Sequence, residues 1–367
     1  MFFENSKQKY LQKNFIWESD FLAVIQLPEY IYTGMDSIGR VFDNNYKNLL
    51  LLTDTEVEKS SSVVSAFFQK AQKHSAKAEH VACNDPAELF SLIQEKLVDE
   101  TPEIVVALGD GKIIDCAMAV SSMSGIPYCA VPQVAPTALW ESDNVEAHLS
   151  RKIPSVCILD PDMIVGSHSA KIAYEGLGML ALCTESFLLA GDRYVKAVAE
   201  TAFGRIYENL FDAFRGEISA RENLLEGMYW AYISFVNSHD FSWESPCYRL
   251  CEFFRSFGID GLSLLAVSCV QIIKSICNKN ADSLQQLAQR LDITPQKELS
   301  GLLLVEKIRQ LRAKMAVPSC IKNIGADEEK FLLLSDELSE EDKRMFFDCY
   351  YSDYFNLKME EQVFRGS

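Results

Sequence analysis

The chain has 367 residues, a formal net charge of −17 at pH 7, and apolar side chains at 48% of its positions. An acidic chain repels the phosphate backbone of nucleic acids, which argues against a nucleic-acid partner. The length is typical of about two domains, and the apolar content is sufficient for a large buried core.

The N-terminus and the cysteines together predict a reduced, cytoplasmic protein. The first residues, MFFENSKQKYLQKNF, lack the apolar stretch of a secretory signal. The longest apolar runs are too short to cross a bilayer, so no membrane partner is expected. The 11 cysteines include no CxxC pair, and several lie in apolar runs, where a thiol packs as a small apolar side chain.

Apolar runs alternate with helical spacing through the first half of the chain. We predict strands near residues 30–34, 48–54, 80–83, 103–108, 127–132 and 156–160, with helices over 55–74, 85–98 and 111–123. Strands that alternate with helices in this way are typical of βαβ units and a parallel sheet. Residues 1–164 are therefore predicted to form an α/β domain.

Helical periodicity replaces strands after about residue 165. We predict helices over 170–189, 195–214, 220–237, 261–277 and 281–291, and hence an all-helical domain over residues 165–367. The tail, 336–367, is acidic and then aromatic. It is expected to dock as a last helix, with a subunit contact as the alternative.

The segment EIVVALGDGKIID, residues 103–115, predicts a strand, a glycine turn and the start of a helix. Gly109 and Gly111 allow a sharp turn and the close approach of a ligand. Asp110 and Lys112 lie where the helix N-terminus favours an anion. The turn lacks the third glycine of the GxGxxG fingerprint, so an ordinary strand-to-helix turn is the alternative.

Three charged side chains lie near this turn. Two of them, Lys112 and Asp54, have both a functional and a structural interpretation, and Asp115 has a structural one. Lys112 either contacts a phosphate or is a solvated lysine at the start of the helix. Asp54, at the end of the first buried strand, either bonds a ribose hydroxyl or only serves its turn. Asp115 is expected to cap the helix and complement its dipole.

Six segments follow one another in an order that a known superfamily shares. They are Gly109–Ala117, Ile126–Gln133, Ala135–Ala138, Val156–Ile164, Glu175–Gly178 and Val317–Gly325. Together they resemble the superfamily of iron-containing alcohol dehydrogenases, glycerol dehydrogenases and dehydroquinate synthases, whose GGGKxxDxA turn holds the pyrophosphate of NAD(P). The resemblance implies a dinucleotide-binding first domain, NAD or NADP as cofactor, an alcohol or polyol substrate and a homodimer. It also adds Thr137 to the cofactor-binding residues.

The positions that hold a metal in this superfamily differ here. An aspartate and two histidines bind it in relatives, and the matching positions in this chain are Met179, Arg249 and Asp260. A thioether is a poor donor for hard metals and a guanidinium is itself a cation, so no metal is expected at this site.

A fixed positive side chain is one substitute for that metal. Arg249 would stabilise the alkoxide that develops during hydride transfer, with Asp260 as its partner. The alternative is a structural ion pair between the two residues in a chain that has lost catalysis.

The resemblance thus predicts an NAD(P)-dependent alcohol or polyol dehydrogenase-like oxidoreductase, similar to glycerol dehydrogenase, without the usual metal ligands. One alternative is a catalytically silent relative that binds a nucleotide or a phosphorylated small molecule. A second alternative is a carbocycle-forming lyase that resembles dehydroquinate synthase.

Overall fold

The computed structural model describes residues 25–60, 62–99, 101–133, 153–238, 245–277, 281–290 and 297–352. Its described part contains a six-stranded sheet in the order β1-β6-β5-β4-β2-β3, and every neighbouring pair is parallel. The strands are β1 Tyr30–Thr33, β2 Asn48–Thr53, β3 Lys77–Ala82, β4 Ile104–Gly109, β5 Tyr128–Pro132 and β6 Val156–Leu159. The predicted parallel sheet is confirmed.

Alternate residues of the central strands pack into two different hydrophobic clusters. In β4, Val105 and Ala107 face the cluster that includes the helices of the second half. Ile104, Val106 and Leu108 face a second cluster on the other side of the sheet. Successive side chains of a strand point to opposite faces. The continuous apolar runs seen in the sequence therefore come from strands that are buried on both faces.

The helices of the first half lie between the strands as the sequence predicts. They are α1 Thr55–Ser60, α2 Ser62–Lys73, α3 Pro86–Asp99 and α4 Gly111–Ser124, and a 3-10 helix covers Ser37–Asn44. The helix predicted over 55–74 is confirmed over Thr55–Ser60 and Ser62–Lys73, and residue 61 lies outside the described residues.

Helices alone follow β6 in the described part of the chain. They are α5 Asp162–Val165, α6 Ser169–Leu189, α7 Arg193–Phe214, α8 Ile218–Asn237, α9 Pro246–Phe254, α10 Gly261–Cys277, α11 Ala281–Arg290, α12 Lys297–Lys314, α13 Glu328–Ser335 and α14 Glu340–Tyr351, with 3-10 turns at Arg255–Phe257 and Ile321–Ile324. The predicted succession of an α/β half and a helical half is confirmed. The exact boundary at residue 164 stays a prediction.

Arg221 of α8 links the two halves of the chain. Its guanidinium is buried and donates to the backbone carbonyls of Ala213 at 3.0 Å, Ile164 at 3.1 Å and Val165. These carbonyls end α5 and α7, where backbone acceptors lack partners within the helix. The guanidinium therefore fixes the passage from the sheet to the helical half.

The last described helix, α14, docks on the helical half. Tyr350 stacks on Phe331 with ring centroids 3.9 Å apart, and Phe254 lies nearly parallel to Phe331 at 5.8 Å. All three rings are buried. Docking of the tail is therefore confirmed as far as Tyr351, and residues 353–367 lie outside the described part.

One helix, α6, has the length and apolar composition to cross a membrane, but 89% of its most apolar window is buried inside the protein. Such burial is typical of a core helix. The ten cysteines whose side chains the structure describes are buried and form no disulfide with one another.

Candidate functional site

The predicted glycine turn joins the carboxyl end of β4 to α4. Gly109 ends the strand with φ +154°, and a Cβ there would lie 3.1 Å from both Asp54 Oδ2 and Ile113 Cγ1. Only glycine fits this close approach without displacing a neighbour. The carbonyl of Gly109 accepts a hydrogen bond from Gln133 N at 2.8 Å, which holds the residue after β5 against the turn. This edge of a parallel sheet is where ligands bind in such folds.

Asp110 caps α4 with its side chain. Its Oδ1 accepts hydrogen bonds from the backbone N–H groups of Lys112 at 3.1 Å and Ile113 at 3.4 Å. These are donors that a helix N-terminus otherwise offers to an anion. A carboxylate of the chain therefore lies where a phosphate group would bind, so the Asp110 side chain must turn away before a phosphate can take its place.

Asp54 lies beside the glycine turn at the end of β2. Its Oδ1 accepts from Val57 N at 2.6 Å and so caps α1, while Oδ2 faces the Cα of Gly109. The structure thus brings Asp54, Gly109, Asp110 and Gly111 together at one edge of the sheet. Whether Asp54 bonds a ribose stays a prediction.

Two predicted cofactor-binding residues remain, Lys112 and Thr137. Lys112 is exposed on the first turn of α4. Its contact with a phosphate stays a prediction. Thr137 lies outside the described residues.

Asp115 is not the cap that the sequence suggests, because Asp110 has that role. Asp115 is buried on α4, and its charge acts on the hydroxyls of Tyr128 in β5 and Tyr232 in α8. Burial raises the pKa of both tyrosines, and the nearby Asp115 carboxylate raises it further. This polar cluster lies between the sheet and the helical half, where it helps to orient α4 against α8.

The three positions that match the family's metal ligands are Met179, Arg249 and Asp260, and the absence of a metal there stays a prediction. Met179 is fully buried in α6. Asp260 caps α10 by accepting from Ser263 N at 2.8 Å. Within the described ranges, no group of three or more His, Cys, Asp or Glu side chains is arranged to hold a metal ion. A thioether, a guanidinium and a capping carboxylate do not fit a hard divalent cation.

Arg249 forms an ion pair with a carboxylate that is not the one the sequence suggests. Its Nε lies 3.0 Å from Asp342 Oδ1, and both side chains are mostly buried. This ion pair joins α9 to α14. The proposed pairing of Arg249 with Asp260 is therefore corrected, because Asp342 occupies the pairing position and Asp260 serves the start of α10. The catalytic role of Arg249 and Asp260 stays a prediction.

Glu185 is a buried carboxyl that fixes the start of α9. It accepts hydrogen bonds from the hydroxyl of Ser245 and, at 2.8 Å, from Cys247 N. Burial raises the pKa of Glu185, while these hydrogen bonds and the charge of Arg249 lower it. Both oxygens of this carboxyl have donors, so its role is structural.

Glu175 is a site residue that the sequence reasoning missed. It lies on α6 directly before the Gly176-Leu177-Gly178 element. Only 8% of its surface is exposed. Burial raises the pKa of its carboxyl well above the usual range; the Lys171 charge opposes this, and the charges of Asp110 and Asp260 add to it. The available signal was a glutamate directly before the Gly176-Leu177-Gly178 element in a mostly apolar helix, which also carries Glu185.

No protein-family model matches the chain. Among curated proteins, aldehyde-alcohol dehydrogenase 2 of Entamoeba histolytica is 29% identical over 86 residues. The match takes in 23% of this chain and only 10% of that protein.

Solved structures match along nearly the whole chain. A 1,3-propanediol oxidoreductase is 16% identical, with a TM-score of 0.78 over 90% of this chain and 100% of its own. An iron-containing alcohol dehydrogenase from Thermococcus thioreducens is 17% identical, with a TM-score of 0.73 over 90% and 100%. Sulfoacetaldehyde reductase from Bifidobacterium kashiwanohense, solved in complex with NAD+, is 17% identical, with a TM-score of 0.71 over 91% and 100%. At these identities the likeness shows the fold, and for the fold the resemblance seen in the sequence is confirmed.

Proposed function

We propose, from the fold that this chain shares with the iron-containing alcohol dehydrogenases, that it is an NAD-dependent oxidoreductase. Its reaction would interconvert an alcohol or polyol, such as glycerol, with a carbonyl compound. The observation that carries the proposal is the match with 1,3-propanediol oxidoreductase over 90% of the chain.

The residues around the glycine turn fit a dinucleotide in part. Gly109 leaves space that a side chain would fill, and the N-terminus of α4 offers N–H groups and a positive dipole end. Asp54 is positioned to accept a hydrogen bond from a ribose hydroxyl, with Lys112 and Thr137 as further contacts. A bound nicotinamide supplies hydride chemistry, which none of the side chains can supply themselves.

The residues at the family's metal position do not fit a metal, so no step of the proposed reaction uses one. The chain must then stabilise the developing charge on the substrate oxygen with its own side chains. Arg249 is the candidate that the sequence suggests, although Asp342 holds its Nε.

The experiment that tests the proposal is a titration of the purified, chelator-treated protein with NAD and NADH, followed by a turnover screen. The panel contains polyols and sugar alcohols for oxidation and their aldehydes and ketones for reduction. Nucleotide binding with turnover in chelator supports the proposal. Turnover that returns only after zinc or iron is added contradicts its metal-free part.

A second candidate is a catalytically silent protein that binds a nucleotide or a phosphorylated small molecule. The buried thioether of Met179 favours it, because the resemblance places a metal-binding aspartate at the matching position in relatives. NAD binding without turnover across the panel would support this candidate. A homodimer and a cytoplasmic location are further parts of the proposal.

A further inference from the structure

Glu175 and Met179 lie four residues apart on α6. Side chains at this spacing share one face of a helix. Met179 is the position that matches the metal-binding aspartate of the superfamily. Glu175 therefore lies on the same face of α6 as that position.

Close packing fixes this face of α6 against its neighbours. A Cβ at Gly178 would lie 2.9 Å from Leu262 Cδ2 and 3.0 Å from the Leu262 carbonyl, at the start of α10. A Cβ at Gly176 would lie 2.3 Å from a methyl group of Leu210 in α7. The two glycines let α6 approach both helices, so Glu175 is held close to the start of α10.

Two capping carboxylates, at the starts of α4 and α10, act on the Glu175 carboxyl. They belong to Asp110, the cap of α4, and Asp260, the cap of α10. Lys171 is the nearest cation, with its Nζ 3.9 Å from Glu175 Oε1. That separation is too long for a hydrogen bond.

The second oxygen of Glu175 is buried and has no hydrogen-bond partner within the described part of the chain. A buried polar atom left in this state costs about 1–3 kcal/mol. Glu185, on the same helix, is equally buried, and its two oxygens accept from Ser245 and Cys247. The contrast indicates that Glu175 is kept for a ligand and Glu185 for the fold.

We infer that the carboxyl group of Glu175 donates the proton to the carbonyl oxygen of a substrate bound near the glycine turn after β4 and the start of α10. The inference rests on the proposed function. In the reduction, the carbonyl carbon receives a hydride from the reduced nicotinamide, and the C=O π bond breaks. The oxygen takes the Glu175 proton, giving an alcohol, oxidised nicotinamide and a Glu175 carboxylate. Water then returns a proton to Glu175.

Burial supplies the protonated form that this role needs. It raises the pKa of Glu175, and the neighbouring carboxylates of Asp110 and Asp260 act in the same direction. Lys171, half-exposed on the preceding turn, is the charge that opposes them. A neutral carboxyl can donate a hydrogen bond where a carboxylate can only accept one.

The test compares the full-length wild-type chain with Glu175→Gln, Glu175→Asp and the control Glu185→Gln. The infrared spectrum of the apo chain at pH 7 reports neutral carboxyl groups through their carbonyl stretch. We expect Glu175→Gln to remove such a band that Glu185→Gln leaves in place. With NADH bound, we expect Glu175→Gln to lower kcat for carbonyl reduction by about 10²–10⁴-fold. The affinity for NADH should stay unchanged, and Glu175→Asp should restore part of the rate.

The outcomes separate this role from the proposed function. A wild-type chain that binds NADH and reduces carbonyls, while Glu175→Gln loses neither the band nor the rate, contradicts the role of Glu175 alone. The same holds if the rate of reduction in the wild type does not fall as the pH rises through the pKa of Glu175. A wild-type chain that binds no NADH contradicts the proposed function and this role together.

Discussion

The carboxylate of Asp110 accepts a hydrogen bond from the backbone N–H of Lys112 at 3.1 Å. This contact places a negative charge at the N-terminus of α4, the end of a helix that attracts anions. The chain thus has a glycine turn of the kind expected in the proposed dinucleotide site, but the Asp110 carboxylate occupies the position where an anion would bind. Nucleotide affinity should therefore depend on the side chain at residue 110.

Asp110→Asn should strengthen the binding of NAD. The amide oxygen can still cap α4, because Asn and Asp are equally good N-cap residues, but the charge that repels the pyrophosphate is gone. We expect the dissociation constant for NAD to fall by about three- to tenfold, measured by isothermal titration calorimetry at low salt. The thermal midpoint, as the control, should change little. Equal affinities in the two proteins would show that the pyrophosphate does not bind at this helix end.

Asp54→Asn should relax the choice between NAD and NADP. The carboxylate of Asp54 lies beside Gly109 and would repel a 2′-phosphate, so the wild type should prefer NAD. Asparagine keeps an oxygen for the cap on Val57 N, which the wild-type side chain provides at 2.6 Å. We expect the NAD-to-NADP affinity ratio to fall by about tenfold, equivalent to about 1.4 kcal/mol. An unchanged ratio would place the ribose elsewhere.

Gly109→Ala should destabilise the glycine turn. The added Cβ would lie 3.1 Å from both Asp54 Oδ2 and Ile113 Cγ1, at a φ of +154°. We expect the free energy of unfolding to fall by about 1–3 kcal/mol in urea titrations. Gly166→Ala is the matched control, because Gly166 has a φ of −79° and nothing within 4 Å of the added atom. Equal stability of the two variants would contradict the close approach at Gly109.

The sheet could be predicted because the burial of its strands is visible in short stretches of the sequence. Residues 49–52 and 104–108 are continuous apolar runs, the pattern of strands that are buried on both faces.

The site was harder to predict because its contacts join distant parts of the chain. The cap by Asp110 could have been read from the sequence, since aspartate before a helix is a strong N-cap signal. The pairing of Arg249 with Asp342 could not, because it depends on how α14 docks against α9. The burial of Glu175 likewise depends on the packing of α6 against α7 and α10, which only the tertiary structure supplies.

Glu175→Gln should change how stability depends on pH. The pKa of Glu175 is raised in the folded chain, so the folded state holds a proton that the unfolded state loses above its ordinary pKa. Its contribution to stability is therefore full below that unfolded pKa and is lost as the pH rises towards the folded pKa. Glutamine has no proton to lose, so the variant should gain stability relative to the wild type as the pH rises above the ordinary pKa of a glutamate. Urea unfolding of both proteins across this range measures the difference, and parallel curves would contradict a raised pKa.

A double-mutant cycle on Arg249 and Asp342 should separate the structural from the catalytic role of Arg249. The two side chains form a mostly buried ion pair, with Nε 3.0 Å from Oδ1. If the role is structural, Arg249→Met and Asp342→Asn each destabilise the chain, and their effects are coupled by about 0.5–3 kcal/mol in urea unfolding.

Turnover gives the other half of that comparison. If the role of Arg249 is structural, the two single variants should lose activity only in proportion to their unfolded fraction. A catalytic arginine predicts that Arg249→Met abolishes turnover in a chain that is still folded, while Asp342→Asn, which leaves the guanidinium in place, keeps it. We expect the first pattern, because the pair anchors α14 to α9 and α14 carries Tyr350 onto the Phe331 ring. The second pattern would restore Arg249 as the group that stabilises the substrate oxygen and would leave Glu175 only the proton to supply.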